Sequence, residues 1–124
     1  MGNLKRLPPS LRHRKRYIAF RLIGHSGDLD KREIALKLMD SMISLFGEVG
    51  SSHAGIWIEY FDGEFGIVRC YNKALEKVKV ALSLINEVEG ERVLPLIIGV
   101  TGTIKKCKTK YLEVLRNANT ANGL

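Results

Sequence analysis

The 124-residue chain predicts an α+β fold, a four-stranded sheet carrying two helices, and three observations carry that prediction. Four short segments read as strands, three by alternating apolar and polar positions and one by a nearly continuous apolar run. Two longer segments repeat apolar residues at helical spacing. The length suits one compact domain and leaves no room for a multi-domain enzyme.

Residues 16–23 place Ile18, Phe20 and Leu22 on one side and Tyr17, Ala19 and Arg21 on the other, a half-buried strand. Gly24 to Gly27 is a turn. Asp30 with Glu33 forms a capping box, and Ile34, Leu38, Met42 and Leu45, flanked by Ala35, Met39 and Phe46, build a wide apolar helix face that Gly47 ends. Ile56, Ile58 and Tyr60 alternate with Trp57, Glu59 and Phe61 as a second strand. Asp62-Gly63 turns it into a third, residues 65–71, which must be antiparallel to it. Asn72 then caps a second helix with the stripe Leu75, Val78, Leu82 and Ile85. Gly90 punctuates before residues 94–101, whose nearly all-apolar run suits a buried fourth strand. A short helix around residues 111–115 closes the chain.

This β-α-β-β-α-β order is the ferredoxin-like plan, shared with RNA-recognition motifs, with an added C-terminal helix. Three regions follow: a basic arm at 1–15, the sandwich at 16–104 and a basic helix or tail at 105–124. Both helices should lie on one face of the sheet, against Ile18, Phe20, Leu22, Val68 and Cys70. The other face then carries Tyr17, Arg21, Phe65, Ile67, Arg69 and Tyr71, with Trp57 beside them.

The net charge of +7 is unevenly spread. Residues 1–16 hold Lys5, Arg6, Arg12, Arg14, Lys15 and Arg16 with no acid. Residues 105–124 hold Lys105, Lys106, Lys108, Lys110 and Arg116 against Glu113 alone, and the stretch between is mildly acidic. Two basic ends on a near-neutral body exclude a uniformly basic packaging protein and point to a polyanionic partner. Cys70 and Cys107 form no Cys-x-x-Cys pair and no disulfide framework, as in a reduced intracellular protein. With no apolar run long enough to span a bilayer and no signal-peptide core, we expect a cytoplasmic location and no membrane partner.

Aromatics and arginines on an open sheet face are what a single-stranded RNA platform uses. The third strand keeps a Phe65-Gly66-x-Val68 core, but Gly63 stands where the RNA-recognition signature has a basic residue. Ile67 and Cys70 replace two of its aromatics. The alternative is that this face is covered, by the terminal segment or by a protein. Catalytic patterns are weak. His13, His25 and His53 are scattered without a second ligand at metal spacing, and no nucleophile elbow or phosphate loop is present. Gly99-Val100-Thr101-Gly102-Thr103 lacks the Gly-Lys-Ser/Thr ending such a loop needs.

The residues resemble one family across about positions 7 to 115. Leu7-Pro8-Pro9 and a basic cluster precede Arg16-Tyr17-Ile18-Ala19-Phe20. Arg69-Cys70-Tyr71 leads into a helix, and the fourth strand ends Gly99-Val100-Thr101-Gly102-Thr103-Ile104-Lys105-Lys106. This is similar to the archaeal and eukaryotic ribonuclease P protein component 2 family. The resemblance implies a ferredoxin-like, non-catalytic subunit that pairs with protein component 3 and assists the catalytic RNA. That RNA removes the 5′ leader of precursor tRNA with magnesium, so no cofactor is expected on this chain.

Under that reading Arg12, Arg14, Lys15, Arg16, Arg69, Lys73, Lys105, Lys106, Lys108 and Lys110 are the expected phosphate contacts. Tyr17, Arg21, Trp57, Phe65, Ile67 and Tyr71 form the expected protein-partner face, for component 3 or a second copy of the chain. Two other classes stay open. One is a small-ligand regulatory domain with its pocket between the Gly24–Gly27 and Gly99–Thr103 turns. The other is a free-standing nuclease using Asp28, Asp30 or Glu59.

Overall fold

A computed structural model of the chain describes residues 14–25 and 28–113. Its strands are β1 (Lys15–Ile23), β2 (Trp57–Phe61), β3 (Phe65–Tyr71), β4 (Glu87–Val88), β5 (Glu91–Arg92) and β6 (Leu94–Thr101). Its helices are α1 (Lys31–Ser51), α2 (Leu75–Ser83) and α3 (Ile104–Cys107), the last running into a π-helical segment, Lys108–Glu113. The main sheet has the order β2-β3-β1-β6 with every neighbouring pair antiparallel, which is the ferredoxin-like arrangement.

The alternation of β1 decides the core. Ile18, Phe20 and Leu22 are buried toward the helices, with Val68 and Cys70 from β3, Ile34, Leu38 and Met42 from α1, and Val78, Ala81 and Leu82 from α2. Phe20 stacks on Phe61 with ring centroids 6.1 Å apart. It fits because residue 66 is glycine: a Cβ there would fall 2.4 Å from the Phe20 ring. Ser41 Oγ donates to the Ala81 carbonyl at 2.8 Å, joining the helices. The Lys37 ammonium meets Glu87 at 2.8 Å and ties α1 to β4.

Several local expectations change. Asp30 does cap α1, accepting from the Arg32 N–H at 3.1 Å. Gly47 does not end the helix: at φ +76° it breaks the helical path, and one more turn runs to Ser51. Asn72 is not a side-chain cap, because Asn72–Ala74 forms a 3-10 turn that leads into α2. A small hairpin, β4–β5, turns through Glu89 (φ +51°) and Gly90 (φ +82°), both left-handed as a type I′ turn requires.

Two register shifts interrupt the alternation. One lies between Ile58 and Tyr60, so Tyr60 faces away from the helices while Phe61 packs against Phe20. The other lies between Ala19 and Phe20 opposite β6. β6 is an edge strand and not a buried central one, with Leu94 and Leu96 exposed. Its apolar run has a different cause. Ile97 and Val100 pack toward the helices, whereas Ile98 packs into a second core on the opposite face.

That second core is built by the chain itself. Ala19, Phe65 and Ile67 of the sheet are buried with Cys107 and Leu112, and Tyr17, Tyr60, Ile98, Ile104 and Tyr111 pack around them. The Tyr111 ring lies directly on Gly99, where a Cβ would come within 2.3 Å. Ile104, Cys107 and Tyr111 recur at helical spacing, so the lysine-rich segment presents an apolar stripe to the sheet.

Candidate nucleic-acid interface

Strand register gathers the basic residues. Lys15 pairs with Tyr71 and Tyr17 with Thr101, so the start of β1 and the ends of β3 and β6 emerge at one end of the sheet. The Asn72 N–H donates to the Arg14 carbonyl at 2.6 Å, extending that contact beyond the sheet. Arg14, Lys15, Arg16, Lys73 and the Lys105–Lys110 cluster, far apart in sequence, therefore share one end of the molecule. Arg14, Lys15, Lys73, Lys105, Lys106, Lys108 and Lys110 are all exposed there.

The opposite end is acidic. It holds Asp28, Asp30 and Glu33 at the start of α1, Asp62 and Glu64 in the β2–β3 turn, and Glu87, Glu89 and Glu91 in the small hairpin. Several of these carboxylates have structural tasks. Asp62 Oδ1 accepts from the Glu64 and Phe65 N–H groups, Arg21 pairs with Glu64, and Glu87 holds Lys37 and the Gly90 N–H. Those two hydrogen bonds lower the Glu87 pKa, and the Glu87 contact raises that of Lys37. The charge imbalance of the sequence thus becomes an axis through the fold.

At the basic end a cavity of about 380 Å³ is lined by Val100, Thr101, Gly102, Lys106, Thr109 and Lys110. Thr103 shapes its rim: its Oγ1 accepts from the Lys106 N–H at 3.2 Å while its carbonyl accepts from Thr101 Oγ1 at 2.7 Å. Gly102 lies beside the Arg16 guanidinium, 3.8 Å from where a Cβ would stand. Two ammonium groups and a guanidinium around one hollow suit a phosphate-rich backbone.

Not every expected contact joins this group. Arg12 lies outside the described residues. Arg69 sits on the second sheet face, 3.7 Å from Glu59 and 5.9 Å from the centre of the Trp57 ring, so its charge is already engaged. Lys108 leans over Tyr60 and Lys110 over Tyr111, each cation about 6 Å or less from the ring centre.

The expected protein-partner face is corrected by the second core. Phe65 and Ile67 are buried beneath the chain's own Leu112, and Tyr17 is half-buried with them, so they offer no partner surface. The apolar face packs against a segment of the same chain, in keeping with the missing base-stacking signature. Arg21 is occupied by Glu64 and the Phe65 ring. Trp57 stays 57% exposed, and Tyr71 turns to the sheet's end, against Gly55.

The two other functional classes lose their geometry. Gly24 follows the end of β1 paired with Leu94, while Gly102 follows the end paired with Tyr17, so the two turns lie at opposite ends and cannot wall one pocket. Asp30 is a helix cap and Glu59 faces Arg69, at opposite ends of the sheet. Among the described residues no three His, Cys, Asp or Glu side chains come together to hold a metal, and no helix is long and apolar enough to cross a membrane. Sequence reading missed His53 and Lys77 at the basic end. The i,i+4 spacing of Lys73 and Lys77 was the available signal for Lys77, whereas nothing local marks His53.

Fold and site together define a small ferredoxin-like sandwich with one face closed by its own C-terminal segment and a basic surface at one end. Comparison with known proteins makes the class specific. Residues 16–112 match the model of the Rpp14/Pop5 family, and the chain belongs to that family. It is 58% identical to ribonuclease P protein component 2 of Archaeoglobus fulgidus over 90% of this chain and 100% of that protein. The component 2 proteins of Pyrococcus horikoshii and Methanocaldococcus jannaschii are 40% and 38% identical, each over 90% of this chain and over 94% and 82% of their own lengths. A chain of the cryo-EM structure of yeast ribonuclease MRP shares the fold, with a TM-score of 0.62 at 9% identity over 88% of this chain and 94% of that one.

Proposed function

We propose that this chain is a protein subunit of ribonuclease P that binds the catalytic RNA and assists removal of the 5′ leader from precursor tRNA. The observation that carries the reading is the near full-length similarity to proteins named ribonuclease P protein component 2. The convergence of cations at one end of the sheet supports it physically. In this reading the RNA performs magnesium-dependent hydrolysis and the chain contributes no catalytic side chain or cofactor.

Arg14, Lys15, Arg16, Lys73, Lys105, Lys106, Lys108 and Lys110 neutralise backbone phosphates; Arg69, engaged by Glu59 and the Trp57 ring, is not among them. Such contacts fix register and orientation and read shape, not base sequence. By screening RNA charge they let the RNA fold and hold precursor tRNA at lower magnesium. Protein component 3 is the direct protein partner, docking on surface the second core leaves open, around the exposed Trp57 on the β2 edge of the sheet. Other ribonuclease P subunits complete the particle, and a second copy of the chain is the competing occupant of that surface.

Reconstitution tests the proposal. The chain, ribonuclease P RNA and component 3 are mixed, and precursor-tRNA cleavage is followed against magnesium concentration. Cleavage should reach half its maximum at lower magnesium than with RNA alone. No gain from adding the chain sinks the reading.

A further inference from the structure

A second hollow opens at the basic end, of about 200 Å³, walled by the last turn of α1, His53, Tyr71, Lys73 and Lys77. From its geometry we infer that this hollow is a seat for a single phosphate of the RNA backbone, an inference that rests on the RNA-binding reading above. That space is ample for a phosphate group.

The lining is one-sided in charge. Lys73 and Lys77 stand one helical turn apart, and no carboxylate lines the hollow. Among the described residues neither ammonium pairs with an acid; nearby Glu76 is taken by Lys79 at 3.6 Å. Lys77 is held in place, its Nζ lying 5.4 Å from the centre of the Phe46 ring. Two glycines keep the hollow open. A Cβ on Gly50 would crowd Phe46 at 3.1 Å and reach toward Lys77 Nζ at 3.9 Å. Gly55, at φ +67°, lets the Tyr71 ring lie flat on its backbone, where a Cβ would be 2.7 Å away.

Position selects RNA over a free anion. Tyr71 pairs with Lys15, so the hollow lies at the same end of the sheet as the Arg16–Lys106–Lys110 surface. A strand crossing that end meets both. The hollow also opens beside the first turn of the nine-residue α2, whose dipole favours an anion. Two lysines and the His53 imidazole then share one phosphate, which distinguishes a seat from scattered surface charge.

The test uses the full chain and a ribonuclease P RNA transcript, with affinity measured from about 50 to 200 mM salt. Lys73→Ala/Lys77→Ala should lower the slope of log affinity against log salt by one phosphate's worth, about 0.7–0.9, and not by two. Lys73→Arg/Lys77→Arg should restore it, with the thermal midpoint unchanged throughout. In NMR spectra the His53 imidazole should shift on adding RNA to the wild type. An unchanged slope in the alanine variant overturns the seat, as does a loss of two phosphates' worth. Inorganic phosphate shifting His53 at lower phosphate concentration than RNA does would assign the hollow to a free anion and also overturn it. If the wild-type chain binds no RNA at any salt, the RNA-binding reading falls, and the seat with it. If Lys105→Ala/Lys106→Ala/Lys110→Ala lowers the slope while Lys73→Ala/Lys77→Ala does not, the seat alone falls.

Discussion

Replacing Lys105, Lys106 and Lys110 with alanine tests whether the proposed RNA binding follows position or mere net charge. All three side chains are exposed, and Lys106 and Lys110 line the hollow beside Gly102, which lies next to Arg16. None forms an ion pair among the described residues, so their loss should leave the thermal midpoint nearly unchanged. Lys108 is left in place because its ammonium rests over Tyr60, which pairs with Ile67 towards the middle of the sheet. Each phosphate contact contributes about 0.7–0.9 to the slope of log affinity against log salt, so three should remove roughly 2–3. Between about 50 and 200 mM salt, the wild type should then lose roughly 20–40-fold more affinity than the variant. Filter binding to a ribonuclease P RNA transcript at four salt concentrations measures this. Lys31→Ala/Arg32→Ala is the control, removing two cations from the acidic end. If the control lowers the slope per charge as much as the triple variant does, binding follows net charge and the localised interface is wrong.

The remaining predictions concern the closed face and the thiols. Leu112→Ala opens a void between the C-terminal segment and Phe65 and Ile67, and should cost about 2–5 kcal/mol in urea unfolding. A cost below about 1 kcal/mol would mean that the segment does not pack on the sheet. Burial pushes the Cys70 thiol up to about 11 and raises that of Cys107, so neither should react with a thiol reagent at pH 8 until the chain unfolds. Because the folded pKa of Cys70 is raised, its stabilisation is full below pH 9 and lost between about pH 9 and 11. Cys70→Ala should flatten the decline of the urea midpoint over that window, and an equally steep decline would refute it.

Periodicity made the strand and helix order legible, because each element exposes one side to water and must alternate accordingly. Ile18, Phe20, Leu22, Val68 and Cys70 are where that alternation puts them. What stayed hidden has a common cause: features whose residues do not differ in type from their surroundings. The extra residue between Ile58 and Tyr60 leaves no compositional mark, yet it moves Tyr60 to the opposite face. Glu89 adopts a left-handed φ without being glycine or asparagine, so the small hairpin gave no turn signal beyond Gly90. The apolar stripe Ile104–Cys107–Tyr111 was masked by the lysines between its members, although its spacing was present. The basic interface was half legible. Charge runs marked its ends, but only strand register brings Lys15 beside Tyr71, and only the folded hollow gathers His53 and Lys77 with Tyr71 and Lys73.

Closure of the sheet by the chain's own segment around Cys107 and Leu112 decides which surface is left for the proposed RNA contact. A four-stranded sheet of this order, left open, offers its central aromatics to unstacked bases. Here Phe65 occupies such a position but is buried under Leu112, and Ile67 beside it has no ring to offer. With Phe65 covered, the sheet centre offers no ring to a base, and the exposed charge lies at the end where the strands deliver their charged termini. Backbone contacts of that kind orient a partner without reading its sequence, which suits the proposed subunit role. The same segment supplies both halves of the arrangement. Its apolar side, Cys107 and Leu112, closes the sheet, and its other side leaves Lys105, Lys106 and Lys110 exposed for the proposed phosphate contacts. Weakening the packing at Leu112 should therefore also disorder the lysines, so Leu112→Ala is expected to reduce the RNA salt slope although it removes no charge. An unchanged slope in a folded Leu112→Ala chain would separate the two roles and show that the lysines find phosphates without being held.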